Sequence, residues 1–180
     1  MKRSFLYALP IVVLAAVIAV FWRGLYLNPR ILPSALIGKS VPTFSLPELH
    51  NSKDPFTQNK FLHQISLMNV WGTWCFVCRE EQKTLMAFAK QNIVPIYGWD
   101  YKDDRESALA WLAQRGDPYT AIAFDSTGDI AINWGVYGAP ETFLIDQHGI
   151  IRFKYVGELT PDVLQKDFMP RIEALRHEGT

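Results

Sequence analysis

The segment ISLMNVWGTWCFVC, Ile65 to Cys78, constrains the fold of this chain more than any other part of the sequence. Ile65–Trp71 is a short apolar run without glycine or proline, which is typical of a buried strand. A helix is predicted directly after it, from about Cys75 to Lys90. Its predicted apolar stripe consists of Val77, Leu85, Met86 and Ala89. A buried strand that leads straight into a helix predicts an α/β architecture.

A second strand and helix are predicted downstream. Ile93–Trp99 is another apolar run and predicts a second buried strand. Asp103 and Glu106 form a capping-box pattern that predicts a helix running to Gln114 and ending at Gly116. The β-α-β order favours parallel strands joined by a crossover helix.

The C-terminal third predicts a hairpin and a final helix. Thr142–Ile145 and Ile150–Val156 are two strand-like runs separated by a short loop. Thr160 followed by Pro161 predicts the start of a helix, which must kink or break near Pro170. The hairpin adds antiparallel strands, so the whole pattern predicts a mixed sheet flanked by helices.

The N-terminus carries a long apolar run. Lys2 and Arg3 precede Phe5–Trp22, which contains no charged residue. As a helix it would extend about 27 Å, close to the hydrocarbon thickness of a bilayer. A cleaved signal peptide with a site near Val17–Ala19 is the alternative, but the run continues past that site to Trp22, which favours an uncleaved transmembrane anchor.

These patterns divide the chain into three parts. Residues 1–22 are the predicted cytoplasmic tip and anchor, residues 23–40 a proline-containing linker, and residues 41–180 one domain. The basic residues on the two sides of the apolar run nearly balance and do not fix its orientation. The 18 Lys and Arg residues equal the 18 Asp and Glu residues, so no electrostatic signature of nucleic-acid binding is present.

The only two cysteines, Cys75 and Cys78, admit four interpretations. A structural staple is disfavoured because so short a loop gives little stabilisation. A zinc site needs two more ligands, and no second CxxC or ligand-spaced histidine pair exists. Haem attachment needs CxxCH, whereas Arg79 follows Cys78. A redox pair fits best.

In the redox interpretation, a strand delivers Cys75 to the first turn of a helix, where unpaired N–H groups stabilise a thiolate. Cys78, three residues later, lies on the same face and within disulfide reach. Cys75 is therefore predicted to be the exposed attacking thiolate and Cys78 the more buried resolving residue. Phe76 and Val77, between them, would influence packing and thiolate stability.

Three neighbouring residues remain open on the sequence alone. Trp74 could offer a flat contact to a partner or close the end of a strand. Glu81 could accept a proton from the cysteine pair or be an ordinary glutamate near a helix N-terminus. Asn69 in the middle of the first strand would be a buried polar group in need of partners.

The sequence also resembles a known family. NVWGTWCFVC and the predicted helix after it resemble the thioredoxin superfamily. GVYGAPETFLID, Gly135 to Asp146, and YKDD, Tyr101 to Asp104, resemble the membrane-anchored thioredoxin-like proteins of cytochrome c biogenesis (the CcmG/DsbE type). The resemblance covers roughly Ile37 to Ile172. It implies a thioredoxin-like α/β fold for residues 41–180, with a mixed central sheet flanked by helices, behind an N-terminal transmembrane helix.

The resemblance also implies a set of site residues. Ala139–Pro140 would be a cis peptide bond facing the cysteine pair, and Glu81 and Glu141 would be the acidic residues near it. Asn69 stands where thioredoxins place a buried aspartate, so the proton-handling carboxylate would come from one of these glutamates. The predicted catalytic residues are Cys75, Cys78, Glu81, Pro140 and Glu141, and the predicted substrate contacts are Trp74, Phe76, Val77 and Ala139.

By the same resemblance, the domain would lie in the periplasm, anchored to the bacterial inner membrane by a single span. It would take electrons from a membrane thiol donor of the DsbD/CcdA type. It would then reduce the CxxCH disulfide of apocytochrome c, directly or through a partner thiol protein of the haem-ligation machinery. Its redox centre would be the Cys75–Cys78 disulfide, with no cofactor and no metal.

One departure from the family pattern concerns Phe76, because family members commonly have proline directly after the first cysteine. This leaves the redox potential and the direction of electron flow open. A broader exported thioredoxin-like reductase or oxidant is one alternative function, and a non-catalytic thioredoxin-fold binding module is another. A peroxidase is a third, although Gly72 occupies the position where a threonine usually precedes the peroxidatic cysteine.

Overall fold

The computed structural model describes the backbone of residues 2–25 and 35–178, and the side chains of residues 9–24 and 35–178. The chain divides into two compact units, residues 1–31 and 32–180. The described part of the first unit is a helix, α1, Lys2–Leu25. The start of the predicted anchor, before residue 9, and most of the predicted linker, residues 26–34, lie outside the described side chains. Over the described residues, no helix combines the length and apolar character needed to span a membrane.

The second unit is built on a five-stranded sheet in the order β5-β4-β3-β6-β7. Its strands are β3 (Ser66–Trp71), β4 (Ile96–Tyr101), β5 (Ala121–Asp125), β6 (Glu141–Ile145) and β7 (Ile151–Val156). The pairs β3–β4 and β4–β5 are parallel, and β3–β6 and β6–β7 are antiparallel. The prediction of a mixed sheet is therefore confirmed. A separate antiparallel pair is formed by β1 (Ser45–Pro47) and β2 (Pro55–Thr57).

Helices cover the sheet. They are α2 (Phe76–Ala89), α3 (Arg105–Arg115), α4 (Asp129–Asn133), α5 (Pro161–Val163) and α6 (Met169–Glu178). A 3-10 turn, Gln58–Phe61, follows β2, and a π-helical turn, Leu164–Phe168, joins α5 to α6. The predicted interruption near Pro170 is thus present, and the π-helical turn ends just before this proline. Thr160 accepts a hydrogen bond from the Val163 N–H, as the predicted helix start requires.

Strand β3 is buried along its whole length, which explains why its sequence is continuously apolar. Alternate residues of β3 belong to different cores. Leu67 packs with Leu85 and Phe88 of α2. Met68 and Val70 point to the other face and join the aromatic core under β1 and β2. The site described below therefore lies in a three-layer structure, at the end of a central strand.

Some predicted boundaries were wrong. The second strand begins at Ile96, because Pro95 has no N–H to donate, and it continues to Tyr101. The N-cap of α3 is Asp104, whose side chain accepts from the Ser107 N–H, and not Asp103. The buried face of α2 also differs from the predicted stripe, since Val77 is exposed. The buried residues of α2 are Cys78, Glu81, Gln82, Leu85 and Phe88.

Candidate active site around the cysteine pair

The loop between β3 and α2 places both cysteines at a helix N-terminus. Cys75 is the N-cap of α2, with an extended backbone at φ −84° and ψ 108°. Its Sγ accepts a hydrogen bond from the Cys78 N–H at 3.0 Å. The two residues form a disulfide with an S–S distance of 2.06 Å. The predicted pairing and its place at the start of the helix are confirmed.

The disulfide is less accessible than the sequence predicted. Cys75, the predicted exposed residue, retains 4% of its surface and Cys78 retains 1%. Both pack in an apolar cluster with Trp71, Trp111 and Leu112, and partly buried Ala139 packs against this cluster. The prediction that Cys75 is exposed is therefore wrong for the disulfide form, although Cys75 remains the more accessible of the two.

The end of β4 and the loop after it hold the residues directly before Cys75. The Thr73 N–H and hydroxyl donate to the carboxylate of Asp103, at 2.5 and 2.7 Å. The Trp74 indole N–H donates to the Tyr101 carbonyl at 2.9 Å. Asp103, expected to cap a helix, instead fixes the conformation of the loop that positions Cys75.

Glu81 lies one turn after Cys78 on the buried face of α2 and is completely buried. Its Oε1 accepts from the Asn69 side-chain amide at 3.0 Å, and its Oε2 accepts from the Leu159 N–H at 2.8 Å. Burial raises the pKa of Glu81 to about 7, despite the opposing effect of these two hydrogen bonds. A carboxyl group with such a pKa can both bind and release a proton near neutral pH.

Asn69 is the buried polar group that the sequence indicated, and all of its partners are visible. Its amide group donates to Thr142 Oγ1 at 3.1 Å as well as to Glu81. Its carbonyl oxygen accepts from the Tyr119 hydroxyl at 2.7 Å. An ionised Glu81 can only accept, so the amide N–H group faces Glu81, and the carbonyl oxygen faces the Tyr119 hydroxyl, which can donate.

Glu141 does not join Glu81. Neighbouring strand residues point to opposite faces, and Thr142 points toward α2, so Glu141 points to the other side of the sheet. There its carboxylate forms a 2.8 Å ion pair with the buried Lys154 ammonium and accepts from the Tyr137 N–H at 2.8 Å. Lys154 also donates to the Gly135 carbonyl at 2.7 Å. The two predicted acidic residues therefore occupy separate environments.

Apolar side chains are exposed beside the cysteines, those of Trp74, Phe76 and Val77 in the CxxC segment and that of Tyr137, which lines the same cavity as Trp74. Of these, Trp74 is 52% exposed, Phe76 67%, Val77 40% and Tyr137 76%. The peptide bond between Ala139 and Pro140 is cis, as the resemblance implied. A surface cavity of about 520 Å³ lies next to Trp74, the residue before Cys75. It is lined by Trp74, Tyr101, Lys102, Tyr137, Gly138 and Ala139. The predicted contact residues Trp74 and Ala139 are thus brought together.

The sequence did not reveal three of the residues that organise this region: Asp103, Tyr119 and Lys154. Asp103 was assigned to the wrong role because two aspartates stand side by side. Nothing local distinguishes Tyr119 from an ordinary core aromatic residue. Lys154 did carry a signal, since it is a charged residue between two aromatic residues of a strand, on a hairpin with Glu141.

Comparison with known proteins agrees with this geometry. The AhpC/TSA family model matches residues 37–154. The thiol:disulfide interchange protein DsbE of Escherichia coli K12 is 43% identical over 189 residues, covering 99% of both chains. DsbE of Allochromatium vinosum is 42% identical over 171 residues, covering 95% of this chain and 93% of its own.

A solved structure supports the fold. A secreted thiol-disulfide isomerase from Corynebacterium glutamicum has a TM-score of 0.66 and 21% identity, covering 82% of this chain and 96% of its own. With the disulfide at a helix N-terminus and relatives of the same name over nearly the whole length, the chemistry is assigned. The chain belongs to the AhpC/TSA family of thioredoxin-like proteins, as a thiol:disulfide oxidoreductase related to the DsbE interchange proteins.

Proposed function

We propose that this oxidoreductase works in the bacterial periplasm as a reductase of the CxxCH disulfide of apocytochrome c. The observation that carries the proposal is the position of the segment GVYGAPETFLID. Three of its residues, Tyr137, Gly138 and Ala139, line the surface cavity that Trp74, the residue before Cys75, also lines. The segment with the most specific resemblance to cytochrome c biogenesis proteins therefore includes residues that a client could touch, whereas its second half is the buried strand β6.

In the proposed reaction the chain begins as a dithiol. The Cys75 thiolate attacks one sulfur of the client disulfide and forms a mixed disulfide, and the other client sulfur leaves as a thiolate that takes up a proton. Cys78 then loses its proton and attacks Cys75 Sγ. The client's second sulfur is released, and the Cys75–Cys78 disulfide forms. Two electrons pass to the client in total.

The buried position of Cys78 gives the second step a specific requirement. Water has little access to a residue that is 1% exposed, so the proton of the Cys78 thiol needs an acceptor inside the protein. Glu81 follows one helical turn later and has a pKa of about 7, which makes it the proposed acceptor. Pro140, joined to the cavity residue Ala139 by a cis peptide bond, completes the proposed site. Glu141 lies on the other face of the sheet in an ion pair with Lys154, so its proposed influence on the thiols would be indirect.

The proposed location rests on the sequence of the N-terminus. Phe5–Trp22 is an uninterrupted run without charged residues behind Lys2 and Arg3. We propose that it anchors residues 41–180 at the periplasmic side of the inner membrane. A membrane thiol protein would return the disulfide to the dithiol state, and apocytochrome c or a haem-ligation thiol protein would be the electron acceptor.

The client proposal is tested with the full-length chain carrying Cys78→Ser. Mixed with disulfide-closed apocytochrome c, this variant should form a mixed disulfide through Cys75, detectable by mass. The matched control Cys75→Ser should not. Insulin serves as a generic disulfide substrate for the unmodified dithiol protein. If the dithiol protein reduced apocytochrome c no faster than insulin, apocytochrome c would be rejected as the specific client. A reductase of broader specificity would then be favoured.

A further inference from the structure

Asp100 is a buried carboxyl group that the chemistry described so far does not use. It lies near the end of β4, in register with Trp71 on β3, and its side chain is completely buried. Gly98, two residues earlier on the same face, lies against the Trp71 indole. Trp71 belongs to the cluster that contains the disulfide, so Asp100 faces the same side of the sheet as the cysteines.

As a carboxylate, Asp100 would have nothing to bind. Among the residues that the structure describes, neither of its oxygens accepts a hydrogen bond from any donor. A buried anion without hydrogen-bond donors is strongly unfavourable, and such a group normally binds a proton instead. A protonated Asp100 gains an O–H donor, and its partner is the carboxylate of Asp103.

Asp103 is the residue that holds the loop before Cys75. Its carboxylate already accepts from the Thr73 N–H and hydroxyl, and from the Asp104 N–H at 2.8 Å. A carboxylic acid donating to the same group would complete its hydrogen bonding. An ionised Asp100 would instead place a second negative charge beside it.

Other charged groups near Asp100 do not reverse its preference for the protonated form. Burial raises the pKa of Asp100 to about 9, and the charge of Asp103 adds to the effect, whereas Arg105 opposes it. Arg105 donates to the carbonyls of Glu48 and Leu49 and not to Asp100. Among the described residues, the titratable or charged groups that interact with Asp100 are Asp103, Asp104 and Arg105 from the loop and the start of α3, and Tyr119 from the segment before β5.

We propose that Asp100 is a neutral carboxylic acid that donates a hydrogen bond to Asp103 and thereby positions the loop that carries Cys75. It acts through Asp103 and Thr73 and does not touch the client. Its neutrality also keeps a second negative charge away from the site where the Cys75 thiolate forms. This inference concerns the thiol chemistry alone and is independent of which protein is the client.

The protonation state is tested directly by carbon NMR of the full-length oxidised chain labelled at aspartate carboxyl carbons. One buried carboxyl should remain protonated at pH 7 and titrate near pH 9. Its signal should be absent from the Asp100→Asn spectrum and present in that of the control Asp104→Asn, whose carboxylate is exposed. An Asp100 signal that is already ionised at pH 7 would overturn the proposal.

The positioning role is tested by the rate at which iodoacetamide alkylates Cys75 in the Cys78→Ser background. Asparagine can donate to Asp103, so Asp100→Asn should stay within about twofold of the parent at pH 7. Asp100→Leu, which has no donor, should change the rate at least threefold. Above pH 9 the alkylation rate of the parent should differ from that of the Asn variant, because only the parent has a carboxyl group at position 100 that ionises there. Equal rates for the Asn and Leu variants would refute a hydrogen-bonded role.

Discussion

At the scale of single residues, Glu81 shows how burial creates a group that titrates near neutral pH. Its pKa is raised to about 7 in the folded chain, whereas an unfolded glutamate titrates near its ordinary value of about 4.3. Glu81 therefore stabilises the fold fully below about pH 4.3, and this contribution is lost as the pH rises through about 7. Burial thus prepares the carboxyl for proton transfer and reduces stability at neutral pH.

We expect Glu81→Gln to remove this pH dependence. We compare the free energy of unfolding of the native chain with that of the variant. The native value minus the variant value should fall by about 3 kcal/mol between pH 4.3 and pH 7.5. Denaturant unfolding at both pH values measures it. Glu80→Gln, at the exposed neighbouring position, is the control and should show little change. A difference that is independent of pH would mean that the pKa of Glu81 is the same in the folded and the unfolded chain.

Phe76 is the residue by which this chain departs from the family pattern, and the backbone can accommodate proline there. Phe76 is the first residue of α2, where proline is well tolerated. Cys75 before it has the extended conformation that a residue preceding proline requires. The hydrogen bond to Cys75 Sγ comes from Cys78, not from Phe76.

Phe76→Pro is therefore expected to fold with an unfolding free energy within about 1 kcal/mol of the native chain. The equilibrium constant for disulfide exchange with dithiothreitol should change less than tenfold, because the donor to Cys75 Sγ is retained. Phe76→Ala separates the loss of the ring from the loss of the N–H. If this equilibrium constant changed more than tenfold in the proline variant but not in the alanine variant, the Phe76 N–H would be a determinant of the reduction potential.

At the scale of elements, the β6–β7 hairpin carries a buried ion pair. Glu141 on β6 and Lys154 on β7 are 0% and 1% exposed and are separated by 2.8 Å. Removing one partner leaves the other charge buried without compensation. The stability of this hairpin therefore depends on both residues. An effect of Glu141 on the cysteine thiols stays a prediction.

Glu141→Gln should cost about 3–5 kcal/mol of unfolding free energy, the range for breaking one side of a buried ion pair. Lys154→Met should cost a similar amount. The double variant should cost less than the two single costs combined, because no charge remains unpaired. Denaturant unfolding of the four proteins measures the coupling, and strict additivity would show that the pair does not interact.

Elements with a strong local pattern were predictable from the sequence. β3, α2 and the hairpin each have a continuous apolar or capping signal, and all were confirmed within a few residues. The three-residue strands β1 and β2 were not predicted, because strands this short are defined by the partners with which they pair. The edge strand β5 was also missed, since its apolar run is only four residues, Ala121–Phe124, and its pairing with β4 defines it. Asp103 and Asp104 are equivalent as caps in sequence, and only the contact of Asp103 with Thr73 distinguishes them.

The site shows the same division between local and distant information. The disulfide and its place at a helix start followed from the spacing of two cysteines after a strand. The environment of Glu81 did not follow from local sequence. Glu81 accepts a hydrogen bond from Leu159, 78 residues away, and its other donor, Asn69, is held by Tyr119, 50 residues from Asn69. The pKa that makes Glu81 useful is a property of the assembled core.

At the scale of the whole molecule, the disulfide should stabilise the fold modestly. Closing so short a loop in the unfolded chain gives about 2 kcal/mol. Both sulfurs are buried, so water offers little compensating stabilisation to a thiolate in the reduced form. The oxidised chain is therefore expected to unfold at a higher denaturant concentration than the reduced chain, as a protein that donates electrons should.

Equilibrium unfolding with and without dithiothreitol measures this difference. The Cys75→Ser, Cys78→Ser double variant controls for effects of the reductant and should behave like the reduced chain. A reduced form more stable than the oxidised form is the property of a strong oxidant. That result would contradict the proposed direction of electron flow.

The near-complete burial of the disulfide beside exposed apolar side chains has a further consequence. A small thiol must approach along the S–S axis, and Cys75, with 4% of its residue surface exposed, leaves little room for such an encounter. A protein that rests on Trp74, Phe76 and Tyr137 can instead use the energy of that contact to open the way. Small thiols in solution would then exchange electrons with the disulfide slowly. Electrons would pass mainly between proteins whose surfaces fit together, so protein recognition would control the reaction.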